Sequence, residues 1–226
     1  MQIQYIGHSA FKISHDDYSV LIDPFITGNP LAAKVDLNVN DILVTHAHGD
    51  HLGDSTEISR KTKIPVTAIF ELANYCAKHG ANAQGINIGG KIPYNWGNAM
   101  WLPASHSSGT PDGQYGGVPS SILVNMGEVS VYHAGDTGLH YDLKMVGELY
   151  KPDISLLPIG GFYTMGIDEA VQAAKWLGSK KIIPMHYNTF PAIKVDANEF
   201  KQKIEAIGVE CIILKPGECF DCHCEA

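Results

Sequence analysis

Two β-sheets packed face to face with helices on both outer faces, a four-layer αββα sandwich of the α+β class, is the architecture the sequence predicts. Three observations point to it. Short apolar strands open each half of the chain and helical segments follow them. Each half also carries an apolar strand that ends in histidine and acidic residues, ILVTHAHGDH at 42–51 and VSVYHAGDTG at 129–138. No stretch is long enough to be a linker between two domains, and 226 residues with 45% hydrophobic content suffice for one sizeable core.

The elements follow in order. IQYI, AFKI and YSVLIDP are apolar or alternating runs broken by polar residues or glycine, and read as strands. DILVT, Asp41 to Thr45, reads as a buried strand. DSTEISRKTK is a polar helical stretch, KIPVTAIF a strand, and FELANYCAKHG a helix stopped by Gly80. From Gly85 to Met126 the pattern is strands and Gly/Pro-rich loops, and MWLPAS is one of the strands. GEVSVYHAGD is a strand ending in a turn, residues 142–150 are helical, and DISLLPIG is the next strand. Ile167, Val171, Ala174 and Leu177 form one apolar helix face closed by Gly178. KKIIPMH is a strand. Asp196 and Glu199 make a capping-box pattern before Phe200, Ile204 and Ile207. ECIILKPGE reads as the last strand, so the domain is expected to span residues 1–218, followed by a Cys-rich tail at 219–226.

Bulk properties narrow the function. A net charge of −8 disfavours a nucleic-acid surface, which needs clustered Lys and Arg. No apolar run approaches the roughly 20 residues that cross a bilayer, and the N-terminus has no signal-peptide character. A cytoplasmic protein with no membrane and no nucleic-acid partner is the expectation, with a homo-oligomer left open. Cys76 and Cys211 read as buried thiols. Cys219, Cys222, His223 and Cys224 crowd the tail, which reads as a solvated segment, with a metal site completed elsewhere as the alternative.

THAHGDH at 45–51 places three histidines and an aspartate in one turn. Alternate side chains of an extended segment point the same way, so His46 and His48 can grip one ion together. The chain turns at Gly49, which aims Asp50 and His51 at a second ion. Imidazoles and carboxylates suit zinc first, with manganese or iron as alternatives. His106, Asp136 and His186 each lie just past an apolar run, where a strand emerges at a sheet edge, and can complete the ligand set.

THAHGDH, together with SHSSG at 105–109, AGDTG at 134–138 and PMHYNTF at 184–190, resembles the metallo-β-lactamase superfamily of metal-dependent hydrolases. The closer resemblance is to its small-hydrolase branch related to L-ascorbate-6-phosphate lactonase. It extends through GHS at 7–9, LIDPFITGNP at 21–30, LLPIGG at 156–161 and TMGIDEA at 164–170. The resemblance implies a metallo-β-lactamase-like fold and a centre of two divalent metal ions. His46, His48 and His106 would hold the first, Asp50, His51 and His186 the second, and Asp136 would bridge them.

Such a centre implies a metal-bridging hydroxide that cleaves an ester, lactone, amide or phosphodiester bond in a small substrate. Asp50 would orient the hydroxide and pass a proton to the leaving group. His8, whose counterpart in the family approaches the metal cleft, would bind substrate or donate a proton. Asp23 is placed to accept a hydrogen bond from a ligand histidine, as metal-bound imidazoles usually require. Thr137 would bond the bridging carboxylate or, as the favoured structural role, cap the helix behind it, and His133 reads as structural. Tyr115, Phe162, Tyr163 and Asn188, in Gly-rich loops, are expected substrate contacts. Arg60 is the only arginine, so no bidentate phosphate clamp is evident. A redox enzyme of the same fold would need a flavin domain that the sequence lacks, and a non-enzymatic metal-binding or regulatory protein is the remaining alternative.

Overall fold

The computed structural model describes residues 1–222. The first sheet holds β1 (Gln2–Gly7), β2 (Ala10–His15), β3 (Tyr18–Ile22), β4 (Asp41–Leu43), β5 (Val66–Ile69) and β6 (Ala83–Ile86) side by side in chain order. The second holds β7 (Lys91–Tyr94), β8 (Gly97–Pro103), β9 (Ser120–Met126), β10 (Val129–His133), β11 (Ile154–Pro158), β12 (Lys181–Met185) and β13 (Glu210–Cys211), again in chain order. Each sheet begins antiparallel and becomes parallel, from β3 onward in the first and from β10 onward in the second.

Parallel neighbours need crossover connections, and helices supply them. α1 (Gly49–Leu52) and α2 (Ser55–Thr62) join β4 to β5, and α3 (Phe70–Lys78) joins β5 to β6. α4 (Asp142–Tyr150), α5 (Ile167–Leu177) and α6 (Ala197–Glu205) do the same between β10 and β13. The predicted sandwich is therefore the observed one. Period-2 alternation divides the core: Val20, Ile22 and Leu43 join Trp101, Ile122 and Val131 in one buried cluster, while Leu21, Ile42 and Val44 join Ile58 and Leu72 in a second beneath α2 and α3.

Three local readings change. ECIILKPGE does not run as one strand; only Glu210–Cys211 pairs, with β12, and Lys215 to Glu218 form a turn that delivers the chain to the other sheet. There Cys219–Asp221 forms β14, antiparallel to Gln2–Gln4 of β1, so the sheet continues past the expected boundary at Glu218. The open edge of β1 offers unpaired backbone groups, and the CFD segment satisfies them. Cys76 and Cys211 are buried thiols, Cys222 is buried and Cys219 is exposed, whereas His223 and Cys224 lie outside the described residues. The capping box at α6 is half made. Asp196 accepts from Asn198 N–H at 2.9 Å, while Glu199 accepts from Lys203.

Candidate metal centre

The chemistry-bearing residues gather at one edge of the sandwich, where strands from both sheets end. His8 follows β1, Asp23 follows β3, and the 45–51 turn follows β4. His106, Asp136 and His186 come after β8, β10 and β12. The two sheets are tied together here. His186 N–H donates to His8 C=O at 2.8 Å, Ser120 N–H and Oγ–H donate to Thr45 C=O at 3.1 and 2.6 Å, and the His133 ring reaches Ser9 C=O at 2.9 Å. His133 is thus a structural bridge. His8, Asp23 and His186 all adopt left-handed backbone, with φ of 60°, 46° and 53°. Such geometry costs on the order of 1 kcal/mol or more per non-glycine residue and collects at functional sites.

Two sets of ligand-type atoms converge, each with all atoms within 4.8 Å of one another: His46, His48, His106 and Asp136 in one, His8, Asp50, His51 and His186 in the other. Asp136 also reaches the second set. Its oxygens lie 3.0 Å from His51 Nε2 and 3.1 Å from His186 Nε2, as well as 3.5 Å from His106 Nε2. His46 Nε2 and His48 Nδ1 stand 3.0 Å apart. His51 Nε2, His186 Nε2 and Asp136 Oδ1 are buried, yet none makes an aligned hydrogen bond despite this crowding. Lone pairs that face a common point rather than each other are what shared cations require, and buried polar atoms without partners cost about 1–3 kcal/mol each. The donor set of imidazoles and carboxylates fits divalent transition ions.

The outward nitrogens of several rings are already engaged. Asp23 accepts from His51 Nδ1 at 2.7 Å and also from Thr45 N–H and Oγ–H at 2.8 and 2.6 Å. Thr45 Oγ1 lies 3.1 Å from His46 Nδ1. His8 Nδ1 contacts Thr189 Oγ1 at 2.8 Å and its Nε2 contacts Asp50 Oδ2 at 3.1 Å. One tautomer serves both His8 contacts: Nε2–H donates to Asp50, and Nδ1 accepts from the threonine. His8 is fully buried against Phe25, Phe190 and His186.

Electrostatics separates the histidines. Burial, with the His51 charge second, pushes His46 well below the ordinary imidazole range, and burial also lowers His48 and His106. Burial pushes His8 down to about 4. For His51 burial acts in the same sense, but the Asp136 and Asp23 carboxylates on either side outweigh it and hold the ring proton well above the ordinary range. Burial alone would raise Asp136 and Asp50. The neighbouring His51 and His186 charges outweigh it at Asp136, as do the His8 hydrogen bond and the His51 charge at Asp50, so both stay below the usual carboxylate range.

The remaining expected residues divide. The Thr137 hydroxyl accepts from Ser105 N–H at 3.0 Å and donates to Gly138 C=O at 2.7 Å, so it ties the His106 loop to the Asp136 loop rather than bonding the carboxylate. Tyr115 lines a cleft floored by His48 and His106. Phe162 and Tyr163 are exposed and packed edge to face at 4.8 Å, on a loop that Met165 N–H anchors to Thr137 C=O. The Asn188 side-chain oxygen accepts from Val195 N–H at 2.9 Å and shapes the 188–195 turn. Sequence reasoning missed Thr45, Thr189 and Ser108, whose Oγ accepts from Ala47 N–H at 3.2 Å. All three lie inside quoted motifs, but hydroxyls carry no pattern that marks them.

The chain matches the beta-lactamase superfamily domain over residues 2–186. It is 46% identical over 220 residues to a UPF0173 metal-dependent hydrolase of Thermus thermophilus, covering 96% of this chain and 97% of that protein. It is 47% identical over 229 residues to a UPF0173 metal-dependent hydrolase of Methanopyrus kandleri, covering 98% and 100%. The solved structure of a metallo hydrolase from the hyperthermophilic archaeon Ignicoccus hospitalis superposes with a TM-score of 0.89 at 40% identity, covering 98% of this chain and 99% of that one.

Proposed function

The chain belongs to the beta-lactamase superfamily, and from that premise we propose that it is a two-metal hydrolase that cleaves an ester, lactone, amide or phosphodiester bond in a small substrate. The observation that carries this reading is the convergence of the two ligand sets, with Asp136 within 3.5 Å of His51, His106 and His186. His46, His48 and His106 would hold one ion and Asp50, His51 and His186 the other, with Asp136 shared. Zinc is the first candidate, and manganese or iron suits the same donors. When bound, the ions lower the pKa of water and stabilise negative charge developing on oxygen.

The chain's own residues do the rest. Asp50, steadied on Oδ2 by His8, would orient the attacking water and carry its proton to the leaving atom. The water oxygen bonds the carbonyl carbon or phosphorus. The bond to the leaving group breaks with its electron pair remaining on the leaving atom, which takes that proton, and the other proton departs with the acid product. Thr189 fixes the His8 ring, so the Thr189–His8–Asp50 chain sets where the carboxylate points. Asp23 and Thr45 hold the imidazoles behind the ligand atoms, a placement that sharpens metal affinity. The free thiols at Cys76, Cys211 and Cys219 suit a reducing cytoplasm.

Elemental analysis of reconstituted protein, paired with turnover of p-nitrophenyl esters, simple lactones and bis-p-nitrophenyl phosphate, tests the reading. About two metal ions per chain are expected, with turnover lost about 10³-fold or more in Asp136→Ala. Protein that takes up no metal would end the proposal. Full metal with no turnover of any substrate would favour a metal-binding protein without hydrolase activity.

A further inference from the structure

The cleft beside the metal centre carries information about the substrate. It has a volume of about 670 Å³, the size of a small-molecule site, and His48 and His106 form its floor. Its wall is the 107–119 loop, folded on itself by the Gly109–Tyr115 bridge. The loop is seated on the metal-binding turn. Ser108 Oγ accepts from Ala47 N–H, and Gly116 lies so close that a Cβ there would fall 2.1 Å from the Ala47 Cβ. The wall is therefore fixed relative to His46 and His48.

Its chemistry is one-sided. Tyr115, which is 71% exposed, stands beside Val118 and Pro119 as apolar surface. None of the chain's 16 Lys and Arg residues is among the described residues lining the cleft. Glu71 and Asp112 stand near the wall but outside its lining. Glu71 lies against Gly117, where a Cβ would fall 2.9 Å from Oε2, and Asp112 occupies the loop tip, accepting from Thr110 Oγ–H and Gln114 Nε2–H. Gln114's donor is thus turned to Asp112. A phosphate or carboxylate substituent would meet no Lys or Arg clamp on this wall.

We propose that this cleft selects substrates whose portion away from the scissile bond is uncharged and apolar, so that the substrate class is a neutral-tailed carboxylic ester, lactone or amide. The inference rests on the hydrolase reading for the chemistry and on the cleft wall for the selectivity. Tyr115 supplies the ring face for the tail, and Glu71 repels anionic tails.

The test uses metal-loaded full chain and two esters with one leaving group, p-nitrophenyl butyrate and the mono-p-nitrophenyl ester of succinate. The anionic-tailed ester is expected to show kcat/KM about tenfold lower at low salt, and Glu71→Gln to narrow that gap. Tyr115→Ala is expected to raise KM for the butyrate ester about tenfold, and by less for the shorter-tailed p-nitrophenyl acetate. Equal use of both tails, or a butyrate KM indifferent to Tyr115, would overturn the inference while leaving hydrolysis intact. Calorimetric binding of 4-phenylbutanamide and its ring-carboxylate derivative reads the same preference without turnover. Tyr115-dependent binding of the neutral amide with no cleavage of any ester, lactone, amide or phosphodiester would uphold the cleft's preference and end the hydrolase reading. Neither binding nor cleavage would end both.

Discussion

Asp23 binds three donors at once: His51 Nδ1, Thr45 N–H and Thr45 Oγ–H. Its strained backbone is repaid only if that arrangement matters. Asp23→Asn keeps the volume but cannot accept in the same way, so metal affinity is expected to fall about 10–100-fold with the fold retained, read by competition against a chromophoric chelator. The His51 shift sets a second expectation. Its ring proton is held well above the ordinary range, so a metal at Nε2 must displace it at neutral pH. His46, His48 and His106 are lowered by burial and stay neutral there, so they have none to give. Loading at pH 7 should therefore release at least the His51 proton, and affinity should weaken as pH falls. Calorimetry in buffers of differing ionisation enthalpy measures this release. Unchanged apparent heats across buffers would refute it, and Asp23→Asn, lacking one of the two carboxylates that hold the proton, should release less. The Asp23 position was legible because an acidic residue at a strand end beside a histidine cluster has a recognisable use. Thr189 was not. Its contact with His8 joins residues 181 apart in sequence, and only the closing of the two sheets creates it.

At the scale of elements, apolar runs located β1 to β5, β8 and β10 to β12, but left β6, β7, β9 and β14 unplaced and could not say where pairing stops. ECIILKPGE has strand composition throughout. Beyond Cys211, Ile212 N–H still bonds Ile182 C=O, but then the chain leaves the sheet because it must reach the edge of β1. Partner availability decided its fate, and partners are tertiary facts. β14 closes that edge with three residue pairs, the Gln2–Asp221 side-chain bond at 2.9 Å and Phe220 beneath Lys181. A chain truncated after Glu218 should lose roughly 1–2 kcal/mol of stability from the missing cross-strand pairs. It should melt a few degrees lower and aggregate more readily through the bared strand. Its metal content should equal that of the full chain, because β14 pairs with the start of β1 while His8 follows its far end. Elemental analysis of both forms decides this, and a lower count after truncation would assign a metal to the cysteine tail.

The whole molecule is two sheets of like plan whose metal-type ligands come from both. His46, His48, Asp50 and His51 belong to the first sheet, and His106, Asp136 and His186 to the second. Cations shared across that seam would bind the folded chain and find no such array in the unfolded one. Their effect on stability then follows mass action: about 2.7 kcal/mol at a free-metal concentration 100 times Kd. For a chain of 226 residues this corresponds to a rise in Tm of roughly 5–10 °C. The gain has a local source as well, since His51 Nε2, His186 Nε2 and Asp136 Oδ1 are buried without aligned partners and a cation would satisfy all three. Melting curves with saturating metal and with excess dipicolinate measure the difference. Asp136→Ala removes the carboxylate that touches ligands of both sets, so its melting temperature should respond to chelator much less than wild type does. Loaded and chelated wild type melting within a degree of each other would mean that the seam is held by its own hydrogen bonds, His186 to His8 and Ser120 to Thr45, and that the metals are ligands of a finished fold rather than part of what finishes it.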